Sequence, residues 1–309
     1  MKRKMLNVPK GGYDGMKGFT IVEFLVAGLL SIIVLIAVVS SYFTSRKLND
    51  AANERLAEQQ DLRNAATLIV RDARMAGSFG CFNMSEHIKD VVVSDVPQKN
   101  YLFSLKKSNA NKLIPIAESP NINYRNFFQV SSALIFQYGI DDVNASDATT
   151  VVSSCAAISK PGKQIPTLED AKKELKIVSQ DKEQGNIARQ RHVVNAYAVG
   201  KIAGEGGLFR FQLDDKGKWG NPQLLVKKVK RMKVRYIYVS GCPEDEDVGK
   251  EEQFKYTDKF DGSVTPAGVE VLLDSGSDAK IAASSDNIIY AYRINATIRG
   301  GNVCANRTL

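Results

Sequence analysis

Apolar and polar positions divide the chain into an apolar segment, a helical segment and a strand-rich remainder. Residues 19–39, FTIVEFLVAGLLSIIVLIAVV, carry a single charge, Glu23. A helix of this length spans about 30 Å, which is the hydrocarbon thickness of a bilayer. The pattern therefore predicts a membrane-spanning helix over 19–39.

The helical pattern continues beyond this apolar segment. Apolar residues recur at spacings of three and four up to position 76, where Gly77 and Gly80 predict the end of the helix. The predicted stripe comprises Leu48, Ala52, Leu62, Ala66, Ile69, Ala73 and Ala76, with charges such as Glu58, Asp61, Arg71 and Asp72 between them. The stripe is too rich in alanine and too irregular for a long coiled coil, so we expect an amphipathic helix over 40–76 that packs on a sheet.

Residues 79–309 show the patterns of an antiparallel sheet. In 231–239 and 287–299, apolar and polar residues alternate with period two, as in strands with one buried and one wet face. The chain is therefore predicted to be an α+β protein, with a long N-terminal helix packed on an antiparallel β-sheet head. Further strands are predicted at 133–140, 149–155, 192–200 and 208–214. Long loops or insertions are predicted at 97–126, 157–190 and 243–285.

The distribution of charge is informative mainly near the N-terminus. The 309 residues carry a formal net charge of +8, and five basic residues but one acid lie in the first 18 positions. By the positive-inside rule this excess places the N-terminus in the cytoplasm. The charge is weak support for a nucleic-acid partner, because much of it belongs to this short segment.

The four cysteines are Cys81, Cys155, Cys242 and Cys304, and none forms a CxxC pair. This spacing, with only two histidines, argues against a zinc site or a thioredoxin-type motif. An even number of widely spaced cysteines suits two disulfides in an oxidising compartment, and four buried thiols in the cytosol are the alternative. Three pairings are possible.

Glu23 needs an explanation within the apolar segment. A carboxylate at membrane depth costs about 2–4 kcal/mol, so we expect a positive partner for it in or near the bilayer. The alternative is that the apolar segment is an ordinary secretory signal peptide or a plain signal anchor. The apolar run is too long for a typical signal peptide, no A-x-A site closes it, and the small residue Gly18 precedes it.

The stretch KGFTIVEFLVAGLL resembles the class III signal of type IV prepilins and their pseudopilin relatives. The resemblance implies that a prepilin peptidase cuts after Gly18 and that the new N-terminus, Phe19, is methylated. It also implies that Glu23 pairs with the N-terminal amine of a neighbouring subunit. The implied parts are a leader at 1–18, an N-terminal helix at 19–78 and a periplasmic head at 79–309.

The helix end RDARMAGSFGC, with VVSSC, LLVKKVKRMKVRYIYV and IIYAYRINATIRG, is similar to minor pilins of the PilW type, called PilJ in some systems. The resemblance implies a type IV pilin-like fold and a role in priming pilus assembly at the filament tip, with motility, adhesion and DNA uptake as consequences. It implies an inner-membrane anchor in the lipid bilayer, a periplasmic head, and later a place in the surface pilus. The implied partners are other minor pilins, the major pilin, the prepilin peptidase and the inner-membrane assembly machinery.

Two other functions stay open at this point. One is a type II secretion pseudopilin, and the other is a tip adhesin or DNA-binding pilin that assembly does not need. Of the three cysteine pairings we favour Cys81–Cys155, which would join the helix end to the early sheet, with Cys242–Cys304. The second bridge would tie a loop to the tail, as C-terminal disulfides do in many pilins.

Three further features of the sequence are weaker indications of function. A basic cluster could contact DNA or another anionic surface, although the aromatic residues of its strand lie on the opposite face. It comprises Lys228, Lys230, Arg231, Lys233 and Arg235. The acidic stretch 243–252 lacks the spacing of an EF-hand, so a hydrated loop is favoured over a calcium site. His87 and His192 lie in no catalytic motif, so we expect no enzyme and no cofactor.

Overall fold

The computed structural model describes most of the chain, in separate ranges. They are residue 18, 20–86, 92–93, 113, 115–162, 165–177, 186–240, 253–262, 264–274, 282–283, 289–290 and 292–299. Two compact units are present: one runs to Ala57, and the other, called the head below, begins at Glu58. The chain is an α+β protein with a long N-terminal helix and antiparallel sheets, as predicted.

Two α-helices are present in the described residues. Helix α1, Ile21–Met75, is 55 residues long, close to the predicted bounds. It ends before Gly77, whose φ of +80° is readily adopted only by glycine. Helix α2, Leu168–Glu174, is capped by Thr167, whose Oγ1 accepts a hydrogen bond from the Asp170 amide at 3.1 Å.

Strands make up about half of the described residues of the head. They are β1 Ser78–Phe79, β2 Phe82–Asn83, β3 Val92–Val93, β4 Ile116–Ser119, β5 Phe127–Gln129, β6 Ala133–Ile140, β7 Thr150–Ser153, β8 Ile158–Ser159, β9 Ala188–Ile202, β10 Glu205–Leu213, β11 Trp219–Lys227, β12 Arg231–Ser240, β13 Gln253–Thr257, β14 Gly268–Asp274, β15 Ala282–Ala283, β16 Ile289–Tyr290 and β17 Tyr292–Thr297. All six strands predicted from apolar runs and alternation fall within or overlap these elements.

Two sheets carry the fold. The nine-stranded sheet contains the path β11-β10-β9-β7-β8-β3, and β4, β5 and β6 join it beside β9 or each other. The four-stranded sheet has the order β13-β12-β14-β17. Every pair is antiparallel except β3 with β8. Two small sheets, β1-β2 and β15-β16, complete the described strands.

The main core joins α1 to both sheets. From Leu62 onward the apolar stripe of the helix is buried against residues such as Tyr197 of the nine-stranded sheet and Tyr236 of the four-stranded sheet. The predicted packing of the stripe on a sheet is therefore confirmed for this part of the helix. Leu48 and Ala52, which the prediction placed on the same stripe, are exposed.

The predicted loops differ from the structure. Stretch 97–126 contains β4, 157–190 contains β8 and α2, and 243–285 contains β13 and β14. Strand β14 lies in the interior of the four-stranded sheet, between β12 and β17. This strand was missed because 243–285 was judged by its overall polar composition. The apolar run GVEVLLD is short and is followed by polar residues.

Candidate functional site

The first predicted site lies at the start of α1. Thr20 precedes the helix, and the Glu23 carboxylate accepts hydrogen bonds from the Thr20 amide and from Thr20 Oγ1, both at 3.0 Å. The Glu23 amide donates back to Thr20 Oγ1 at 3.4 Å. This reciprocal pattern is a capping box, and the carboxylate also faces the positive end of the helix dipole.

The capping box gives Glu23 a role that the sequence interpretation missed. Its signal was available, because Thr20 and Glu23 have the T-x-x-E spacing of that motif. Phe19, the predicted cleavage and methylation residue, lies outside the described residues. At Gly18 an added Cβ would meet no atom of the described residues within 4 Å, so these residues leave room for a larger side chain.

Helix α1 presents a long apolar surface. Every residue from Thr20 to Leu56 is exposed, including Ile21, Leu35 and Val38. By length and composition, α1 can cross a membrane. An apolar surface of this extent is stable in water only when a bilayer or another polypeptide covers it.

The second site is a buried carboxylate that no motif predicted. Asp72 of α1 is fully buried, although the sequence pattern of the helix placed it among the charges that lie between the apolar stripe positions. It accepts hydrogen bonds from Tyr138 Oη at 2.9 Å, Asn195 Nδ2 at 2.9 Å, Tyr197 Oη at 2.6 Å and Arg71 at 3.0 Å, and Arg210 Nε lies 3.5 Å away. The missed signal was its spacing, because Asp72 follows Ile69 by three residues and therefore shares its face.

The charges of this cluster stabilise one another. Asp72 faces two guanidinium groups, of which Arg71 is half-exposed and Arg210 is largely buried. Burial and the nearby carboxylate raise the pKa of Tyr138 to about 12 and also raise that of Tyr197. Both tyrosines therefore stay protonated and donate to Asp72 throughout the physiological range.

A disulfide fixes the segment that follows α1. Cys81 and Cys155 are bonded, which confirms the first favoured pairing. Beside it, Ser153 Oγ donates to the Phe79 carbonyl at 2.7 Å, and the Gly77 amide donates to the Gln137 carbonyl at 2.9 Å. The helix end is thus held to the nine-stranded sheet by covalent and hydrogen bonds. The second favoured pairing, Cys242–Cys304, lies outside the described residues.

The predicted basic cluster is divided between a turn and a strand. Lys228 and Lys230 are exposed in the β11–β12 connection, and Arg231 is exposed at the start of β12. Lys233 and Arg235 lie on β12 and form ion pairs with Asp258 and Glu270. Arg293 of β17 also pairs with Glu270, which is fully buried. The acidic stretch 243–252, weighed as a calcium site, lies outside the described residues.

Of the two histidines, His192 belongs to the described residues and His87 does not. His192 is buried in β9, with Nε2 3.1 Å from Gln137 Oε1 and its ring beside Phe79. Burial lowers its pKa from 6.5 to about 4. The ring is therefore neutral in the folded protein at neutral pH, and its surroundings make it part of the core.

Stability should fall as the pH drops from about 6.5 to about 4, because the unfolded chain binds a proton at His192 before the folded protein does. The full effect is about 3 kcal/mol. We expect the difference in unfolding free energy between the wild type and His192→Gln to be constant above pH 7 and to shrink below 6.5. A difference that stays constant down to pH 4 would mean that folding does not lower the pKa of His192.

No model of a protein family matches the chain, and no curated protein matches it.

Proposed function

We propose that the protein is a minor pilin that primes the assembly of type IV pili and sits at the filament tip. The observation that carries the proposal is the beginning of α1. The bond between Gly18 and Phe19 precedes the helix, which starts at Ile21 with an exposed apolar surface. Cleavage at that bond would remove the basic leader and keep the whole helix as a membrane anchor, and later as a filament core.

The arrangement of the head supports the same proposal. The C-terminal part of α1 lies in the main core, against antiparallel strands, and a disulfide follows its end. The head begins at Glu58 and comprises most of the chain. So large a head is difficult to repeat along a tightly packed shaft, whereas at the tip no further subunit lies above it.

In this proposal the chain is a substrate of the prepilin peptidase and has no catalytic role of its own. The partners are the other minor pilins, the major pilin and the assembly machinery in the inner membrane. The Glu23 carboxylate pairs with the N-terminal amine of a neighbouring subunit. Removing one member of such a desolvated pair costs about 3–5 kcal/mol, so assembly should depend strongly on this one group.

The test separates this intermolecular pair from the capping box. Glu23→Gln keeps an acceptor for the Thr20 amide, since glutamine also forms capping boxes, but it removes the charge. We expect Glu23→Ala and Glu23→Gln to be processed and to leave few surface pili, as counted by electron microscopy in a deletion strain that carries each variant. Thr20→Val, which loses the Oγ1 contacts and keeps the carboxylate, is the matched control and should retain most pili.

Gly18→Val controls for processing and should remain as the uncut precursor on an immunoblot. If Glu23→Gln restores normal piliation, the carboxylate serves only as a helix cap. If deletion of the whole chain leaves pili intact and abolishes protein secretion, the protein is a pseudopilin of a secretion system instead.

A further inference from the structure

Strand β13 forms an open edge of the four-stranded sheet. Among the described strands it pairs with β12 alone. Its residues Gln253 to Tyr256 are all exposed, and Phe254 and Tyr256 keep 59% and 54% of their surface in contact with solvent. An edge strand of this kind presents backbone N–H and C=O groups that a further strand can pair with.

The two faces of β13 differ in chemistry. Phe254 lies opposite Val239 of β12, and Tyr256 lies opposite Ile237, so both aromatic rings share one face. Lys255 lies opposite Tyr238 on the other face. A strand added to this edge would therefore meet aromatic rings on one side and a lysine on the other.

The lysine side also has a cavity. It has a volume of about 340 Å³, and its lining includes Lys255, Thr257 and Lys259. Tyr238 Oη accepts a hydrogen bond from the Asp261 amide at 2.9 Å, which holds one wall in place. Lys255 and Lys259 are exposed, and among the described residues of the lining Asp261 is the one acidic side chain, so these residues together carry net positive charge.

We propose that β13 accepts an extended segment of another polypeptide, in which acidic residues alternate with apolar ones. The backbone of that segment extends the sheet, its acidic side chains enter the cavity beside Lys255 and Lys259, and its apolar side chains cover Phe254 and Tyr256. This surface lies entirely in the head, so it stands whether or not the chain is a pilus subunit.

Two other occupants fit the surface less well. In a symmetric antiparallel pairing of two copies centred on β13, Lys255 would lie directly opposite its own counterpart, and like charges in that position repel. Nucleic acid would need free cations beside the aromatic rings. On that face of β12, the cations nearer the rings, Lys233 and Arg235, are already paired with Asp258 and Glu270, and Arg231 lies at the far end of the strand.

The probe is a fluorescently labelled heptapeptide in which Glu and Val alternate, titrated with the full-length protein in mild detergent and followed by anisotropy. We expect saturable binding that the double variant Lys255→Glu/Lys259→Glu weakens by at least about tenfold. Lys227→Glu, an exposed lysine on β11, is the matched control and should bind like the wild type. The same peptide methylated on alternate backbone amides, and a Lys/Val heptapeptide, should both bind far more weakly.

The proposal is overturned if the Glu/Val peptide does not bind, if its methylated form binds equally well, or if the double variant keeps the affinity of the wild type. A dimer that Tyr256→Lys dissociates in sedimentation experiments would assign the edge to a second copy. Binding of oligothymidine that the double variant abolishes would assign it to nucleic acid. Either of these two results also overturns the proposal.

Discussion

Replacing Asp72 by alanine is expected to lower the free energy of unfolding of the head by about 3–5 kcal/mol. The variant removes the acceptor shared by Tyr138, Asn195 and Tyr197 and leaves the largely buried Arg210 without its counter-charge. A typical domain is stable by only about 5–15 kcal/mol, so the loss is a large fraction of the total.

Denaturant unfolding of the full-length protein in mild detergent measures this loss. The single tryptophan, Trp219, is buried in the head and reports its unfolding. The matched control is Asp61→Ala, a partly exposed acid on the same helix, which should change stability by less than about 0.5 kcal/mol.

A further variant apportions the effect. Tyr197→Phe removes only the shortest of the hydrogen bonds to Asp72 and should cost about 1–3 kcal/mol. If Asp72→Ala costs no more than the Asp61 control, the carboxylate does not stabilise the packing of α1 on the sheet.

Removing the Cys81–Cys155 disulfide is the second large effect we expect. The bridge joins residues 74 positions apart, and closing a loop of that length stabilises a fold by about 4 kcal/mol in the chain-entropy account. The double variant Cys81→Ser/Cys155→Ser should therefore unfold at a much lower denaturant concentration than the wild type, and reductant should not lower it further through this bridge.

Cys242→Ser/Cys304→Ser is the natural comparison, because it leaves the first bridge intact. Reductant should lower the unfolding free energy of this variant. The decrease should be about equal to the difference in unfolding free energy between the wild type and Cys81→Ser/Cys155→Ser. An equal stability of Cys81→Ser/Cys155→Ser and the wild type under oxidising conditions would contradict the expected contribution of the bridge.

Local patterns predicted the helix and seven of the seventeen described strands. The period-two alternation of Met232, Val234 and Tyr236 reappears as burial on β12, and the stop at Gly77 coincides with its positive φ. These features depend on neighbouring residues alone, so a single sequence carries them.

Features that depend on distant residues were missed. Asp72 is polar and was placed on the wet side of the helix, whereas its donors Tyr138, Asn195 and Tyr197 lie on strands 66 to 125 residues later in the chain. Strand β14 was taken for a loop because Glu270 interrupts its apolar run, and the arginines that pair with this buried acid come from the two adjacent strands. A charged side chain can be buried only where it has partners, and partners on other strands of a sheet cannot be recognised from the neighbouring sequence.

The position of Asp72 in the sequence also limits when its buried hydrogen bonds can form during synthesis. A ribosome finishes α1 long before it reaches the partners of Asp72 on β9 and β10, since Asn195 and Tyr197 follow it by 123 and 125 residues. A nascent chain that has not reached β9 must leave this carboxylate in water, and the helix cannot bury its polar face without cost. The full set of hydrogen bonds to Asp72 therefore forms only once β9 has been synthesised, and packing of α1 before that point would leave this carboxylate short of partners.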